Sequence, residues 1–153
     1  MIKVVLTDEE ILICKVLGNL RSLNKRLGEI NDNGSTHEDD EVGLIGEYAF
    51  GKHYNLFMDI SLHQKKGGGD FVRNGKVIDV KATTRPDGNL VSPISKLGTT
   101  DVDVYVLAIV NNNEVDLIGY ATREEFLREE NIVNLGKSRG FFYPRSKLRD
   151  LPL

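Results

Sequence analysis

The stretch of residues 67–83, GGGDFVRNGKVIDVKAT, constrains the fold of this chain more than any other part of the sequence. It predicts two short strands, at 70–73 and 76–83, because the Asn74-Gly75 pair between them is a strong signal for a two-residue β-hairpin turn. In the ordinary antiparallel register of such a hairpin, each residue of the first strand lies opposite a defined residue of the second.

The second predicted strand carries charge on one face only. Side chains alternate along a strand, so Asp79 and Lys81 share a face with Val77, while Ile78, Val80 and Ala82 form an apolar face. The hairpin register also places Asp70 near Asp79. Two carboxylates held close together repel each other, and a bound hard cation relieves that repulsion. Because the Lys81 amine can hold or deprotonate a water, the group suits metal-assisted hydrolysis of a phosphodiester.

Length and composition predict one ordinary globular domain over residues 1–153, large enough for a sizeable hydrophobic core. Cys14 is the single cysteine, which excludes an intramolecular disulfide and a cysteine-based zinc site and is typical of a reducing setting. The sequence lacks a secretory signal peptide and an apolar run near the ~18 residues of a membrane span. We therefore expect a cytoplasmic protein with no membrane partner.

Basic residues are unevenly placed along the chain. The formal net charge of −3 indicates no general attraction for nucleic acid. One group of basic residues nevertheless lies in or beside the predicted hairpin: Lys65, Lys66, Arg73, Lys76, Lys81, Arg85 and Lys96. Much of the acid lies elsewhere, at 38–41 and 124–125, so a nucleic-acid partner is not excluded.

A capping box at Thr7-Asp8-Glu9-Glu10 predicts the start of a first helix. Apolar residues follow it at the spacing of a helix that packs a stripe against a core: Ile13, Val16, Leu17, Leu20, Leu23 and Leu27. Gly28 is the predicted stop. The polar stretch 31–39 is predicted to be a mobile loop.

A second helix is predicted from about residue 40 to residue 54, and it has an unusual composition. Gly43, Gly46, Ala49 and Gly51 surround Glu47, although a glycine inside a helix costs about 1 kcal/mol relative to alanine. Small residues allow a helix to approach a sheet closely, so we expect Glu47 to be pressed toward that sheet.

The rest of the chain predicts strands at 102–110, 115–121 and 141–143, and a capping box at 122–125 that starts a short helix. Residues 56–62 are predicted to be a short strand or a buried connector. Residues 83–100 are predicted to be largely irregular, with one short helix near Ile94. This order predicts an α/β (α+β) fold in which one mixed central sheet is flanked by helices.

The order of elements and four charged residues resemble the PD-(D/E)XK nuclease superfamily, which has the restriction-endonuclease-like fold. Glu47 matches the acid on the helix before the sheet, Asp70 matches the first aspartate, and Asp79-Val80-Lys81 matches the (D/E)-x-K strand. The resemblance covers roughly residues 40–121, and Gly69 stands where the family has its proline.

The resemblance implies a metal-dependent endonuclease that hydrolyses DNA. Asp70, Asp79 and the backbone carbonyl of Val80 would hold Mg²⁺ or Mn²⁺, Glu47 would complete the coordination, and Lys81 would orient or activate the attacking water. Backbone contacts to DNA would come from Lys65, Lys66, Arg85 and Lys96. The compact domain further suggests a structure-selective or weakly sequence-specific enzyme, such as a Holliday-junction resolvase or a phage-type nuclease, acting as a homodimer.

Other interpretations remain open at the level of sequence. Asp79 and Lys81 could form a surface ion pair on an edge strand, which contributes less than ~1 kcal/mol. The helical acid could instead be one of Glu38, Asp39, Asp40 and Glu41. The chain could also be a non-catalytic DNA-binding or assembly module with a nuclease-like fold, or an interaction domain with no nucleic-acid role.

Overall fold

The structure is a computed structural model that describes residues 1–27, 37–62, 68–96, 98 and 100–153. Its main sheet has five strands in the order β1-β6-β5-β3-β2: β1 is Ile2–Val5, β2 is Phe71–Arg73, β3 is Lys76–Thr83, β5 is Val104–Asn111 and β6 is Glu114–Thr122. A smaller sheet has the order β4-β8-β7: β4 is Leu90–Pro93, β7 is Ile132–Asn134 and β8 is Arg139–Tyr143. The helices are α1 (Asp8–Leu27), α2 (His37–Tyr54) and α3 (Arg123–Phe126).

The main sheet is mixed, as the sequence predicted. Strands β3 and β5 are parallel, whereas its other neighbouring pairs are antiparallel. Helices flank the sheet, so the α+β class with a mixed central sheet is confirmed. In the described part of the chain, no helix combines the length and the apolar character that crossing a membrane requires.

The hairpin of β2 and β3 forms with the predicted turn and register. Asn74 has φ 51° and Gly75 has φ 72°, and two successive positive values are the mark of a type I′ turn. Phe71 is paired with Ile78, and the Asp70 N–H donates to the Ile78 carbonyl at 2.8 Å. Asp70 therefore lies near Asp79, although β2 itself begins one residue later than predicted.

Two hydrophobic cores cover the two faces of the main sheet. On one face, α1 and α2 pack against apolar side chains of β3 and β5, with Phe50 of α2 fully buried among them. On the other face, the small sheet and α3 cover Tyr105 and Leu107, with Phe126 and Phe141 at the centre. Because β5 is buried on both faces, it is apolar almost without interruption, as predicted from the run at 102–110.

Several predicted elements differ from the structure. Residues 56–62 form neither a strand nor a buried connector, and Phe57 is fully exposed. Residues 37–39 belong to α2 and not to a mobile loop, while residues 31–36 lie outside the described part. Three short strands were not predicted, because β1, β4 and β7 are each only three or four residues long. In addition, β1 and β4 depend on partners far along the chain.

The prediction that the apolar stripe of α1 faces the core is wrong for most of its residues. Leu17 is buried, but Ile13, Val16, Leu20, Leu23 and Leu27 are each 45–77% exposed. The side of α1 that packs against the domain instead carries Cys14, Leu17, Gly18 and Arg21. Small residues at positions 14 and 18 let α1 approach α2 closely, and Gly18 lies beside the Glu41 backbone.

Gly46 sets the distance between α2 and the main sheet. A Cβ atom at this position would lie 2.6 Å from the Ala82 Cβ and 3.4 Å from the Ala108 Cβ. We expect Gly46→Ala to lower the free energy of unfolding by about 1–3 kcal/mol, because overpacking outweighs the gain in helix propensity. Urea denaturation measures the change.

Gly43 provides the matched control for this prediction, because it lies one turn earlier on α2 and a Cβ there meets nothing within 4 Å. Gly43→Ala should raise the free energy of unfolding by up to about 1 kcal/mol. Equal stabilisation by both substitutions would contradict the close approach of α2 to β3.

Candidate active site

The candidate site lies where β2 ends and the edge of β3 is left open. Asp70 immediately precedes β2, and its Oδ2 accepts a hydrogen bond from the Val80 N–H at 2.7 Å. This N–H points to the side of β3 on which β2 would otherwise continue. The Asp70 side chain therefore replaces a backbone partner, which fixes one carboxylate oxygen beside Asp79.

Asp79 and Lys81 form an ion pair within this site. The Lys81 Nζ lies 2.5 Å from the Asp79 Oδ2, with 30% of the lysine and 14% of the aspartate side chain exposed. At these residues β2 no longer covers β3, so the pair lies at a strand edge, but the low exposure of both side chains means that it is not on an open surface. A largely buried pair of charges is costly to desolvate, so a purely stabilising role explains it poorly.

One oxygen of Asp79 has incomplete hydrogen bonding. The Asp79 Oδ2 is buried and accepts no well-aligned hydrogen bond from the residues that the structure describes, although the Lys81 amine is in contact with it. A buried carboxylate oxygen in this condition is an available acceptor for a cation or a water.

Glu47 of α2 and Asp70 influence each other's ionisation. Burial raises the pKa of Glu47 to about 8, and the negative charge of Asp70 contributes to the shift. Burial likewise raises the pKa of Asp70 to about 7, with the charge of Asp79 as the next cause. The metal-free site therefore holds protons at neutral pH, because burial and the neighbouring negative charges both raise these pKa values.

Lys81 supplies one positive charge to this site. Burial lowers the pKa of its amine, but the Asp79 carboxylate beside it outweighs that effect, and the pKa lies above its ordinary value. Lys81 is consequently protonated at neutral pH in the metal-free protein. In that state it can donate hydrogen bonds but cannot accept a proton.

Arg21 of α1 is a second positive charge near the site, and it was not among the residues predicted from the sequence. Its side chain is only 4% exposed, and its guanidinium donates to the Asp59 carbonyl at 2.6 Å and the Ser61 carbonyl at 3.1 Å. The charge of Arg21 opposes the rise in the pKa of both Glu47 and Asp70. Its spacing of seven residues from Cys14 and three from Gly18 is the signal that could have placed it on the packed side of α1.

Replacing Arg21 tests its role in holding residues 59–61 against α1. We expect Arg21→Met to lower the free energy of unfolding by about 2–4 kcal/mol, because it keeps the aliphatic volume but leaves two carbonyls without their donor. Thermal or urea denaturation measures this. Lys15→Met is the control on the same helix, since Lys15 is 54% exposed, and it should change stability by less than about 0.5 kcal/mol. Equal effects of the two substitutions would contradict the role of Arg21.

The alternative helical acids have other partners or other surroundings. Asp40 accepts hydrogen bonds from Lys25 at 2.8 Å and from Ser22 at 3.0 Å, both on α1. Glu41 lies 3.9 Å from Lys15, also on α1. These acids therefore belong to the contact between the two helices, whereas Glu47 interacts electrostatically with Asp70, Asp79 and Lys81.

The structure describes only two of the four basic residues that were predicted to contact DNA. Arg85 is exposed in the turn that follows β3, and its N–H donates to the Thr83 Oγ1 at 3.2 Å. Lys96 ends a short 3₁₀ helix at Ile94–Lys96. Lys65 and Lys66 lie outside the described residues. Of the predicted catalytic residues, the structure thus places Asp70, Asp79 and Lys81 together at the open edge of β3, and Glu47 within electrostatic range of them.

The donor set fits a hard divalent cation that retains several waters. Among the described residues, no three His, Cys, Asp or Glu side chains are grouped so that they could hold a metal ion together. Mg²⁺ in phosphoryl-transfer sites is commonly bound through one or two carboxylates plus waters and substrate phosphate. Asp70 and Asp79 provide that minimal set of oxygens, and the incompletely bonded Asp79 Oδ2 is one of them.

Comparison with known proteins identified no relative of this chain. No protein-family model, no curated protein and no solved structure matches the chain.

Proposed function

We propose that this chain is a metal-dependent endonuclease of the PD-(D/E)XK type, which hydrolyses phosphodiester bonds in DNA. One observation supports the proposal above the others. Asp70 lies near Asp79 at the open edge of β3, and Lys81 contacts Asp79 from two residues further along the strand. An acid pair with an adjacent amine suits metal-assisted phosphodiester hydrolysis.

The residues of the site would have separate roles in the reaction. Asp70 and Asp79, with the backbone carbonyl of Val80, would bind Mg²⁺ or Mn²⁺, and Glu47 would contribute directly or through a water. When bound, the cation supplies Lewis-acid stabilisation of the negative charge that develops on the scissile phosphate. Lys81, charged at neutral pH, would orient the attacking water or hold a phosphate oxygen.

The raised pKa values of Glu47 and Asp70 predict that cation binding depends on pH. Both carboxyls have a raised pKa in the metal-free protein, so both hold protons near neutral pH. Only their ionised forms are good cation ligands. Binding of a divalent cation would therefore release protons, and its affinity should rise with pH.

The proposed substrate is DNA. We propose that cutting is selective for DNA structure or only weakly specific for sequence. Arg85 is exposed directly after β3 and would contact the DNA backbone, as would Lys65, Lys66 and Lys96. Each protomer carries one such site, so cutting both strands of a duplex or a junction would use a homodimer. The cytoplasm is the compartment that we propose for this activity.

Asp79→Asn tests the proposal most directly. The purified protein is incubated with linear duplex, single-stranded, flapped and four-way-junction DNA in the presence of Mg²⁺ or Mn²⁺. We expect the wild type to cut at least one substrate and the variant to be at least about a hundredfold slower, since it loses one carboxylate of the cation site.

Glu114→Gln is the matched control for this experiment. Glu114 begins β6 and pairs with Lys3 at 2.8 Å on the opposite edge of the main sheet. This variant should cut at the wild-type rate. Cleavage that persists in Asp79→Asn, or that is lost equally in both variants, would contradict the proposed site.

A non-catalytic DNA-binding module is the second candidate function. It is favoured by the contact between the Lys81 amine and the Asp79 Oδ2, which already neutralises that carboxylate without a cation. In that case neither protein would cut DNA, both would bind it, and the affinity would fall steeply with salt concentration. Asp79→Asn would then leave binding unchanged.

A further inference from the structure

The outward side of α1 carries a continuous apolar stripe. Its members are large aliphatic residues, each between 45% and 77% exposed: Leu12, Ile13, Val16, Leu20, Leu23 and Leu27. Scattered exposed apolar residues are normal on a protein surface, but a contiguous row along a five-turn helix is not. The stripe is therefore a surface that needs a partner.

The spacing of the stripe identifies the kind of partner. Ile13, Val16, Leu20, Leu23 and Leu27 follow one another at intervals of three, four, three and four residues. This is the pattern of a seam that packs against another helix, because it keeps every member on the same narrow face. The domain's own core contacts the neighbouring side of α1, at Cys14 and Leu17.

The two longer segments outside the described residues have few apolar residues that could cover the stripe. Residues 28–36, which follow α1, contain Ile30 as their single large apolar residue, and residues 63–67 contain none. A partner from outside these segments has to supply the complementary apolar surface.

We propose that the stripe is the interface of a homodimer in which two α1 helices pack antiparallel around a two-fold axis. In such a pair Ile13 of one protomer lies opposite Leu23 of its partner, and Val16 lies opposite Leu20. Four of the five seam residues then meet an apolar side chain, while Leu27 lies opposite the first turn of the partner helix. The same surface serves both protomers, as two-fold symmetry requires.

The charges on α1 favour the antiparallel arrangement. The first turn is acidic, with Asp8, Glu9 and Glu10, whereas every charged residue from position 11 to position 27 is basic. Arg21 is buried and Lys15 and Lys25 pair with acids of α2, so the exposed charge of α1 is mainly that of its first turn. Antiparallel packing keeps the two acidic first turns apart and also opposes the two helix dipoles. Parallel packing would place like charges together.

The size of the surface is sufficient for a stable dimer. The six exposed aliphatic residues of α1 present on the order of 600 Å² of surface, close to the roughly 800 Å² that one partner contributes to a standard interface. Residues 59–62 extend it, because Arg21 and Asn24 hold their carbonyls against α1. Ile60 and Leu62 in this segment are 71% and 40% exposed.

Sedimentation velocity over a hundredfold range of protein concentration, without DNA or metal, tests the proposal. We expect the wild type to approach twice the monomer mass of 17.1 kDa at the upper end of the range. Val16→Glu and Leu20→Glu should each weaken the dimer by at least about a hundredfold, because two unpaired carboxylates would be buried at the seam.

Val133→Glu is the matched control, since Val133 is 38% exposed on β7, in the other sheet. It should leave the dimer intact. A wild type that remains monomeric at the highest concentration, or a dimer that survives both α1 substitutions, would overturn the proposal. Circular dichroism checks that each variant is folded, which we expect because the replaced side chains are exposed.

Disulfide trapping tests the orientation of the helices. Ile13→Cys protein and Leu23→Cys protein are mixed, oxidised in the native state and alkylated before electrophoresis, with a size tag on one of them. Antiparallel packing predicts cross-links between the two different variants, whereas cross-links within each variant alone would overturn it. Cys14 is fully buried and does not take part under native conditions.

The dimer does not depend on the proposed nuclease activity. Its test contains neither metal nor nucleic acid, so either proposal can fail while the other stands.

Discussion

Raising the pH from about 5 to about 8 should destabilise the metal-free protein. The pKa of Asp70 is raised from its ordinary value of 3.8 to about 7, and that of Glu47 from 4.5 to about 8. Within this window the folded protein therefore binds protons that the unfolded chain has already released. Stability falls with rising pH whenever the folded state binds more protons. The contribution is fully present below the ordinary values and is lost as the pH passes the raised ones.

The expected loss is several kcal/mol, because each pKa unit corresponds to about 1.4 kcal/mol. Urea denaturation at a series of pH values in the presence of a chelator measures it. Glu125 does not add to the change in stability between pH 5 and pH 8. The hydrogen bond from Arg149 lowers the pKa of Glu125, so its effect on stability changes only in more acidic solution. Adding Mg²⁺ at pH 8 should restore stability, because the cation favours the ionised carboxylates. A stability that is independent of pH between 5 and 8 would contradict the description of the site.

Asp70→Asn should abolish cleavage and stabilise the metal-free protein at the same time. The asparagine amide oxygen can still accept the Val80 N–H, so the local backbone pairing is retained. The substitution removes a carboxylate that is costly to ionise, and the metal-free variant should gain a few kcal/mol at pH 8. Loss of a cation ligand should slow DNA cleavage by at least about a hundredfold. Denaturation and cleavage assays on one protein preparation measure both effects.

Asp103→Asn is the appropriate control. The Asp103 Oδ2 accepts the Val77 N–H at 2.9 Å, a bond of the same kind to a neighbouring part of β3. This variant should show neither the stabilisation at pH 8 nor the loss of cleavage. Destabilisation by Asp70→Asn would indicate that the Asp70 charge supports the fold, contrary to the expectation.

The candidate site could be predicted largely because its decisive contacts are local in sequence. The Asn74-Gly75 turn fixes the register of the hairpin, and that register brings Asp70 near Asp79. Alternation along β3 then places Lys81 beside Asp79. The glycines around Glu47 likewise indicated a close approach to the sheet, and Gly46 is in contact with β3 and β5.

The features that could not be predicted depend on contacts between distant parts of the chain. The spacing of apolar residues in α1 identified a helix but not which of its sides faces the domain. The buried position of Arg21 depends on carbonyls about 40 residues away. Strand β1 pairs with β6, more than 100 residues later, and four residues carry too little pattern to reveal such a partner.

The hydrogen bond between Asp70 and Val80 has a consequence for aggregation. An unpaired N–H on an open sheet edge is a place where a strand of another molecule can add, and proteins commonly block such places. The Asp70 side chain occupies this donor on β3. Asp70→Ala would expose it, whereas Asp70→Asn would keep it covered. The residue proposed for the chemistry therefore also helps to keep the protein from polymerising through its β-sheet.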